Sequence, residues 1–232
     1  MRAFFIAVQF MTRIPVPMLG DIGKKEIGFS VLFFPLVGLL IGLILVAVGH
    51  FPSLSVSATA VVLLIVATLI NGALHLDGLG DSADAWLSGA KKTRALEIMQ
   101  DSHIGSAGVV SIVLILLAKY VFLLEINILE LLIMPVVSRT MPIFLMLKFN
   151  YVRENGIARD MVDFVPRKMA MAIVMMVLSI AVWVNWMGVL MMLVGLSFLV
   201  RTMQARLGGW TGDVLGAVIE ISEVLFLLGC IL

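Results

Sequence analysis

Three aspartates that lie close together in the sequence could hold a divalent cation. Residues 75–84 read His-Leu-Asp-Gly-Leu-Gly-Asp-Ser-Ala-Asp, which places carboxylates at Asp77, Asp81 and Asp84. Spacings of four and seven residues put these side chains on one face of a helix. Like charges along about 10 Å of helix repel one another unless a cation lies among them. The pattern therefore predicts a metal site, with an acidic loop that only caps helices as the simpler alternative.

A second polar segment follows on the same side of the chain. Residues 98–105 read Ile-Met-Gln-Asp-Ser-His-Ile-Gly, and Asp101 and His103 could fold back against the three aspartates. Hard oxygen ligands suit Mg²⁺ or Mn²⁺, which take water and phosphate oxygens as their remaining ligands. A zinc site would need more His or Cys than this side of the chain supplies. The residue types favour a site for magnesium, with manganese as the alternative.

A third cluster, residues 207–213, reads Leu-Gly-Gly-Trp-Thr-Gly-Asp and opens the last apolar run. Asp213 is expected either to cap the following helix or to belong to a helix N-terminus that binds phosphate. Motif chemistry alone leaves these two interpretations open.

The elements that position these residues are expected to be membrane helices. The chain is 62% hydrophobic and 13% charged, whereas soluble domains are about half apolar and a quarter charged. Apolar runs of about 20 residues match a hydrocarbon layer of about 30 Å. Seven such runs are predicted at residues 30–49, 56–74, 106–124, 129–147, 169–184, 187–203 and 214–232.

The predicted fold class is therefore an all-α integral membrane protein with about seven transmembrane helices, or six. Residues 1–232 form a single domain, and its cytoplasmic acidic loops form the site. Residues 1–14 are expected to be a retained interfacial segment rather than a signal peptide.

The distribution of basic residues predicts the orientation. Of the 16 Lys and Arg, all except Lys119 and Arg139 lie in residues 1–29, 75–105, 148–168 and 201–213, which occupy one side if seven spans form. The positive-inside rule places that side, the N-terminus and the acidic loops in the cytoplasm. The net charge of +1 argues against a nucleic-acid partner.

Ionisable residues within the predicted spans should face the protein interior. Arg139, Glu220 and Glu223 lie near the middle of their spans, where such a group costs about 2.5–3.5 kcal/mol on insertion scales. A structural ion pair between Arg139 and either glutamate is one interpretation, and a contact between Arg139 and a substrate phosphate is the other. Lys119 is nearer the outer end of its span and is expected to snorkel.

Three segments resemble the signature blocks of the cobalamin synthase family: residues 75–84, residues 98–105, and residues 208–217, which read Gly-Gly-Trp-Thr-Gly-Asp-Val-Leu-Gly-Ala. Members of this family are also called adenosylcobinamide-GDP ribazoletransferases. Residues 11–17 and 34–38 are similar to the family's N-terminal blocks, and the blocks keep their order along nearly the whole chain. His103 departs from the pattern, which has a basic residue, often Arg, at that position.

The resemblance implies an Mg²⁺-dependent phosphotransferase in the cell inner membrane with a cytoplasmic active site. Its substrates would be adenosylcobinamide-GDP and α-ribazole or α-ribazole 5′-phosphate. Its products would be adenosylcobalamin or the corresponding 5′-phosphate, with release of GMP. The lipid bilayer is the other expected partner, and a homo-oligomer is left open.

With this chemistry, we assign a role to each polar residue. The expected metal ligands are Asp77, Asp81, Asp84 and Asp101. The expected catalytic residues are Asp84, as the base that takes the hydroxyl proton, and Asp101. The expected substrate contacts are Arg13, Ser102, His103, Arg139, Thr211 and Asp213. Glu220 and Glu223 are expected to be structural charges, and His75 is expected to be structural rather than a ligand.

Two alternatives remain. A CDP-alcohol phosphotransferase that makes phospholipid also uses paired aspartates at a membrane face, but Asp77-Gly78 is not followed by the Ala-Arg of those enzymes. A polytopic transporter is compatible with intramembrane Arg and Glu. The chain, however, lacks the paired broken helices of inverted-repeat transporters.

Overall fold

The computed structural model describes residues 1–51, 54–153 and 157–232, and their regular structure is helical. The α-helices, in chain order, are α1 (Arg2–Met11), α2 (Lys24–Ser30), α3 (Phe34–Gly49), α4 (Val56–Asn71), α5 (Leu74–Leu87), α6 (Lys92–Ile98), α7 (Ser106–Leu123), α8 (Ile128–Lys148), α9 (Ile157–Phe164), α10 (Arg167–Val184), α11 (Trp186–Leu207) and α12 (Gly212–Cys230). The expected all-α membrane fold is confirmed.

The helices that qualify as spans by length and composition agree with the alternative of six rather than with seven. In the described ranges these are the stretch Lys24–Gly49, α7, α8, α10 and α11, five in all, with the bent pair α4 and α5 as a sixth. The seventh expected span corresponds to α12, which is 19 residues long and carries Asp213, Glu220 and Glu223. Those acidic side chains make α12 too polar to qualify by composition, although its position among the other helices buries both glutamates.

A sharp bend after α4 corrects the predicted second span, residues 56–74. Gly72 and Ala73 both adopt left-handed backbone conformations, with φ of 59° and 56°. Glycine tolerates this conformation, whereas alanine does so only with strain. The axis of α5 consequently turns 87° from that of α4. The bend carries the acidic segment away from the direction of the span.

Close helix contacts form the core of the bundle. The small-residue stripe Gly38–Gly42 on α3 packs on α8, as its spacing predicts. A Cβ added to Gly38 would lie 2.7 Å from Val136 Cα, and one added to Gly42 would lie 3.2 Å from the Leu132 carbonyl carbon. Helix α12 is central, since it packs against α5, α7, α8 and α11.

One face of α7 is apolar and open. Val110, Leu114, Leu117 and Val121 are between 50% and 60% exposed, and their spacing places them on a single helical stripe. A stripe of large aliphatic side chains on the outside of the bundle is typical of contact with lipid.

Candidate active site at the junction of two helices

Glycines bring α5 and the start of α12 into backbone contact. A Cβ added to Gly78 would lie 2.6 Å from the Asp213 carbonyl oxygen and 3.0 Å from Asp213 Cα. One added to Gly216 would lie 3.0 Å from the carbonyl oxygen of His75. Only residues without a side chain permit this approach. The contact places Asp77 on α5 beside the N-terminal turn of α12.

The aspartates of the two helices interact electrostatically. Asp81 is partly exposed on α5, which follows the 87° bend after α4. Its pKa is raised from 3.8 to about 6, first by burial and then by the negative charges of Asp77, Asp213 and Asp84, whereas Arg153 lowers it. Asp77, Asp81 and Asp84 therefore lie close together on α5, as their spacing predicts. Asp213 of α12 adds a fourth carboxylate.

Asp84 has a structural contact that the sequence did not predict. Its Oδ2 accepts a hydrogen bond from the Gly105 N–H at 2.7 Å, and its Oδ1 accepts one from the Gly108 N–H at 2.9 Å. These amides belong to the first turn of α7, where backbone N–H groups have no partner within the helix. Asp84 thus caps α7 and attaches it to α5.

Asp101 lies in the exposed loop before α7 and bonds within that loop. Its Oδ1 accepts hydrogen bonds from the backbone N–H of His103 at 3.0 Å and pairs with the Nδ1 of that ring at 2.8 Å. The backbone hydrogen bond, followed by the ring, lowers the pKa of Asp101. Ser102 is exposed in the same loop.

The predicted set of four aspartate ligands remains open. In residues 1–51, 54–153 and 157–232, no three Asp, Glu, His or Cys side chains lie close enough together to hold a metal ion. The carboxylates of α5 and α12 are near enough to repel one another, but Asp101 is not among the charges that shift the pKa of Asp81. Metal binding by Asp77, Asp81, Asp84 and Asp101 therefore stays a prediction.

A cavity of about 400 Å³ opens beside this junction. Asp77 and Asp213 line it, together with Gln9 of α1 and Arg13 in the segment that follows α1. The Arg13 side chain packs over Gly72 in the bend. The cavity therefore combines carboxylates with a guanidinium, which suits a phosphate and its counter-cation.

Arg153 is a residue of this site that sequence analysis missed. Its Nη2 lies 2.7 Å from Asp213 Oδ2. Short backbone pairing positions it: the Val152 N–H donates to the Trp210 carbonyl, and the Trp210 N–H donates to the Asn150 carbonyl, each at 3.0 Å. Residues 60 positions apart give no local spacing signal. The basic composition of residues 148–168 was the sole hint.

Thr211, not Asp213, caps α12. The Thr211 Oγ1 accepts a hydrogen bond from the Val214 N–H at 3.4 Å, and Thr211 is fully buried. The capping interpretation of Asp213 is therefore wrong, because its carboxylate pairs with Arg153 instead. The hydroxyl of Thr211 is therefore engaged as the N-cap of α12.

The intramembrane charges form one buried network. Arg139 Nη1 lies 2.8 Å from Glu223 Oε1, and Lys119 Nζ lies 2.5 Å from both Glu220 Oε2 and Glu223 Oε2. The ion-pair interpretation of Arg139 therefore agrees with the structure. The expectation that Lys119 snorkels is wrong, since Lys119 is 7% exposed. Two glutamates on the facing helix provide partners at that depth.

Arg139 lies apart from the residues that line the 400 Å³ cavity. It is 1% exposed, and its Nη2 donates to Asn71 Oδ1 at 3.1 Å. His75 separates the two regions: it lines the 400 Å³ cavity and also a small cavity of about 30 Å³ next to Lys119 and Glu220. His75 is 4% exposed, and this burial fits the structural role expected of it.

Comparisons with known proteins agree along almost the whole sequence. Residues 3–231 match the family model described as cobalamin-5-phosphate synthase. A protein of Acinetobacter baumannii named adenosylcobinamide-GDP ribazoletransferase is 38% identical over 236 residues, which cover 98% of this chain and 96% of the relative. Relatives of the same name from Pseudomonas putida and Pseudomonas fluorescens are each 38% identical, covering 99% of this chain and 98% of each relative. No solved structure matches the chain.

Proposed function

The chain belongs to the cobalamin-5-phosphate synthase family, and we propose that it joins adenosylcobinamide-GDP to α-ribazole or α-ribazole 5′-phosphate. The products are adenosylcobalamin or its 5′-phosphate, together with GMP. The match over residues 3–231 carries this conclusion. The cavity between Asp77, Asp213 and Arg13 supplies a site of suitable chemistry.

The reaction is a phosphoryl-group transfer. A ribose hydroxyl oxygen forms a bond to the diphosphate phosphorus nearest the cobinamide, and the bond from that phosphorus to the oxygen of GMP breaks. The hydroxyl proton passes to a base, and GMP leaves with the bridging oxygen. Catalysis of this kind depends on in-line positioning and on stabilising charge that develops on phosphoryl oxygens.

The acidic residues fit a divalent cation, proposed as Mg²⁺ with Mn²⁺ as an alternative. Burial raises the pKa of Asp81, and the negative charges of Asp77, Asp213 and Asp84 raise it further, so several carboxylates repel one another at the junction of α5 and α12. Mg²⁺ usually binds one or two carboxylates and completes its coordination with water and substrate phosphates. Asp77 and Asp81 would hold it, with Asp84 and Asp101 as the further proposed ligands. When bound, the ion neutralises charge on the phosphoryl oxygens.

The chain's own side chains bind and orient the substrates. Arg13 lines the same cavity as Asp77 and is proposed to bind a diphosphate oxygen, which its planar guanidinium suits. Ser102 and His103, in the exposed loop before α7, are proposed to contact the nucleotide. Arg153 holds the Asp213 carboxylate in place at the edge of the cavity.

Asp84 remains the proposed base. Its oxygens accept hydrogen bonds from two amides of α7, so proton transfer to Asp84 requires it to share or give up one of these bonds. Asp101, paired with His103, is the second proposed catalytic carboxylate. We further propose that the site and the N-terminus are cytoplasmic. All Lys and Arg residues except Lys119 and Arg139 lie in segments that share one side of the membrane if seven helices cross it.

Product analysis of the purified protein in lipid nanodiscs tests this function. With adenosylcobinamide-GDP, α-ribazole and Mg²⁺, we expect GMP and adenosylcobalamin in equal amounts, and none from D81N. With CDP-diacylglycerol and an alcohol acceptor, we expect no CMP. Turnover of CDP-diacylglycerol alone would support the phospholipid-synthase alternative. Solute flux in liposomes without turnover would support the transporter.

A further inference from the structure

A groove on the outside of the bundle lies between α8 and α11, apart from the candidate active site. Its volume is about 540 Å³. Met141, Phe144 and Leu145 form the α8 side, and Leu196 and Val200 form part of the α11 side. The two helices are held by common neighbours, because α10 and α12 each pack against both. The groove is therefore a fixed part of the surface that meets lipid.

Polar groups are concentrated at one end of this groove. Arg201 and Gln204 line it from the last turns of α11, and a spacing of three residues puts them on the same helical face. The Gln204 side-chain nitrogen is buried and has no hydrogen-bond partner among residues 1–51, 54–153 and 157–232. Buried amide donors are nearly always paired, so an unpaired one indicates a missing acceptor. The guanidinium of Arg201 and the side-chain amide of Gln204 can therefore donate hydrogen bonds to an anion at the end of the apolar groove.

We infer that this groove binds an anionic phospholipid of the membrane leaflet nearest the C-terminal end of α11. An acyl chain lies along Phe144, Leu196 and Val200, and the phosphate accepts hydrogen bonds from Arg201 and Gln204. The lining residues require both parts of this ligand. An apolar wall within a bilayer binds an apolar chain, and the hydrogen-bond donors at its end require an acceptor with negative charge. Basic pockets between membrane helices bind anionic head groups for this reason.

Native mass spectrometry of the full chain tests the inference directly. The protein is equilibrated in nanodiscs of equal phosphatidylglycerol and phosphatidylcholine, extracted into mild detergent, and examined for retained lipid. We expect one phosphatidylglycerol per chain, retained in preference to phosphatidylcholine. In R201Q, that preference should fall about fivefold, since a basic residue near an anionic surface contributes about 1 kcal/mol. R206Q is the matched control, because Arg206 is on the last turn of the same helix and outside the groove lining.

Two further variants keep the inference testable if R201Q folds poorly. Q204L removes the unpaired donor and should also lower the preference for phosphatidylglycerol. S197W places an indole in the groove and should reduce retention of either lipid. Equal retention of the two lipids by the wild type, or equal effects of R201Q and R206Q, would overturn the inference. A dimer that carries no lipid and dissociates in S197W would also overturn it and would assign the groove to a second copy of the chain.

Discussion

Gly78 lies directly against the backbone of Asp213, so that a Cβ at position 78 would come within 2.6 Å of the Asp213 carbonyl oxygen. This contact helps the aspartate segment of α5 to share a cavity with the start of α12, although 135 positions separate the two residues in the sequence. The glycines of the acidic segment therefore serve packing between helices. The carboxylates occupy the faces that the contact leaves open.

Gly78→Ala should weaken both folding and turnover. Forcing a methyl group against the Asp213 backbone costs about 1–3 kcal/mol, whereas alanine stabilises a helix by about 1 kcal/mol relative to glycine, so the change is destabilising over most of that range. The helices must separate, and misplacement of catalytic groups by about 1 Å can lower rates by about 100-fold. Thermal unfolding in detergent and GMP release measure the two effects.

Gly49→Ala is the control for this change. An added Cβ there meets only Leu131 Cδ2, at the ordinary distance of 3.7 Å. We expect its stability and turnover to match the wild type. If Gly78→Ala behaved like Gly49→Ala, the close contact between α5 and α12 would be wrong.

Asp81→Asn should change how stability depends on pH. The pKa of Asp81 is about 6 in the folded protein against 3.8 normally, so the folded state binds the proton more tightly. Its contribution to stability is fully present below about pH 4 and is lost as the pH rises through about 6. In chelator, the wild type should lose stability between pH 5 and pH 7.5 relative to D81N, which cannot ionise there.

Addition of Mg²⁺ completes that experiment. At pH 7.5, Mg²⁺ should raise the melting temperature of the wild type, because a bound cation relieves the repulsion among the carboxylates. D81N should respond weakly. Asp163→Asn, which alters an exposed aspartate paired with Arg159, should follow the wild type. The proposed cation site fails if wild type and D81N respond alike to pH and to Mg²⁺.

Asp84→Asn separates capping from catalysis. Asparagine has one side-chain oxygen, so it can accept one of the two amide hydrogen bonds of α7 and should cost about 1 kcal/mol of stability. Loss of a general base lowers turnover by about 100-fold or more. We expect both effects, read from thermal unfolding and from GMP release. Near-normal turnover together with the lower stability would show that Asp84 serves as a cap alone.

Arg139→Ala should destabilise the protein far more than Arg139→Lys. Without Arg139, Glu220 and Glu223 share the single ammonium of Lys119, and an uncompensated buried charge costs about 3–5 kcal/mol. Lysine keeps the charge and loses the fork that reaches both Glu223 and Asn71. Unfolding in detergent compares the variants.

A double variant tests whether charge balance is the cause. Arg139→Met with Glu223→Gln removes one charge of each sign, so its destabilisation should be smaller than the sum of the single changes. Equal melting temperatures for Arg139→Ala and Arg139→Lys would contradict the ion-pair role. That result would return Arg139 to the list of substrate contacts.

The sequence predicted what depends on local pattern. A bilayer requires about 20 apolar residues in each helix, so α7, α8, α10 and α11 were recognisable. The spacing of Asp77, Asp81 and Asp84 likewise predicted one helical face. The bend was not predictable, because Leu74 and Leu76 continue the apolar run and conceal the change of direction.

Contacts between distant segments were also beyond local pattern. Nothing near Asp213 in the sequence indicates Arg153, which reaches it through the backbone pairing of Trp210 with Asn150 and Val152. The position of Lys119 within its own helix indicates only that it lies near the end of a span. Its true surroundings depend on α12, whose glutamates reach the same depth.

The decisive measurement is adenosylcobalamin formation as a function of Mg²⁺ concentration, compared between wild type and D81N in nanodiscs freed of metal. A catalytic cation held by Asp81 predicts no product from the wild type in chelator, saturable recovery as Mg²⁺ is added, and no recovery in D81N at any concentration. Full wild-type turnover in chelator, or the same Mg²⁺ response in both proteins, would contradict it.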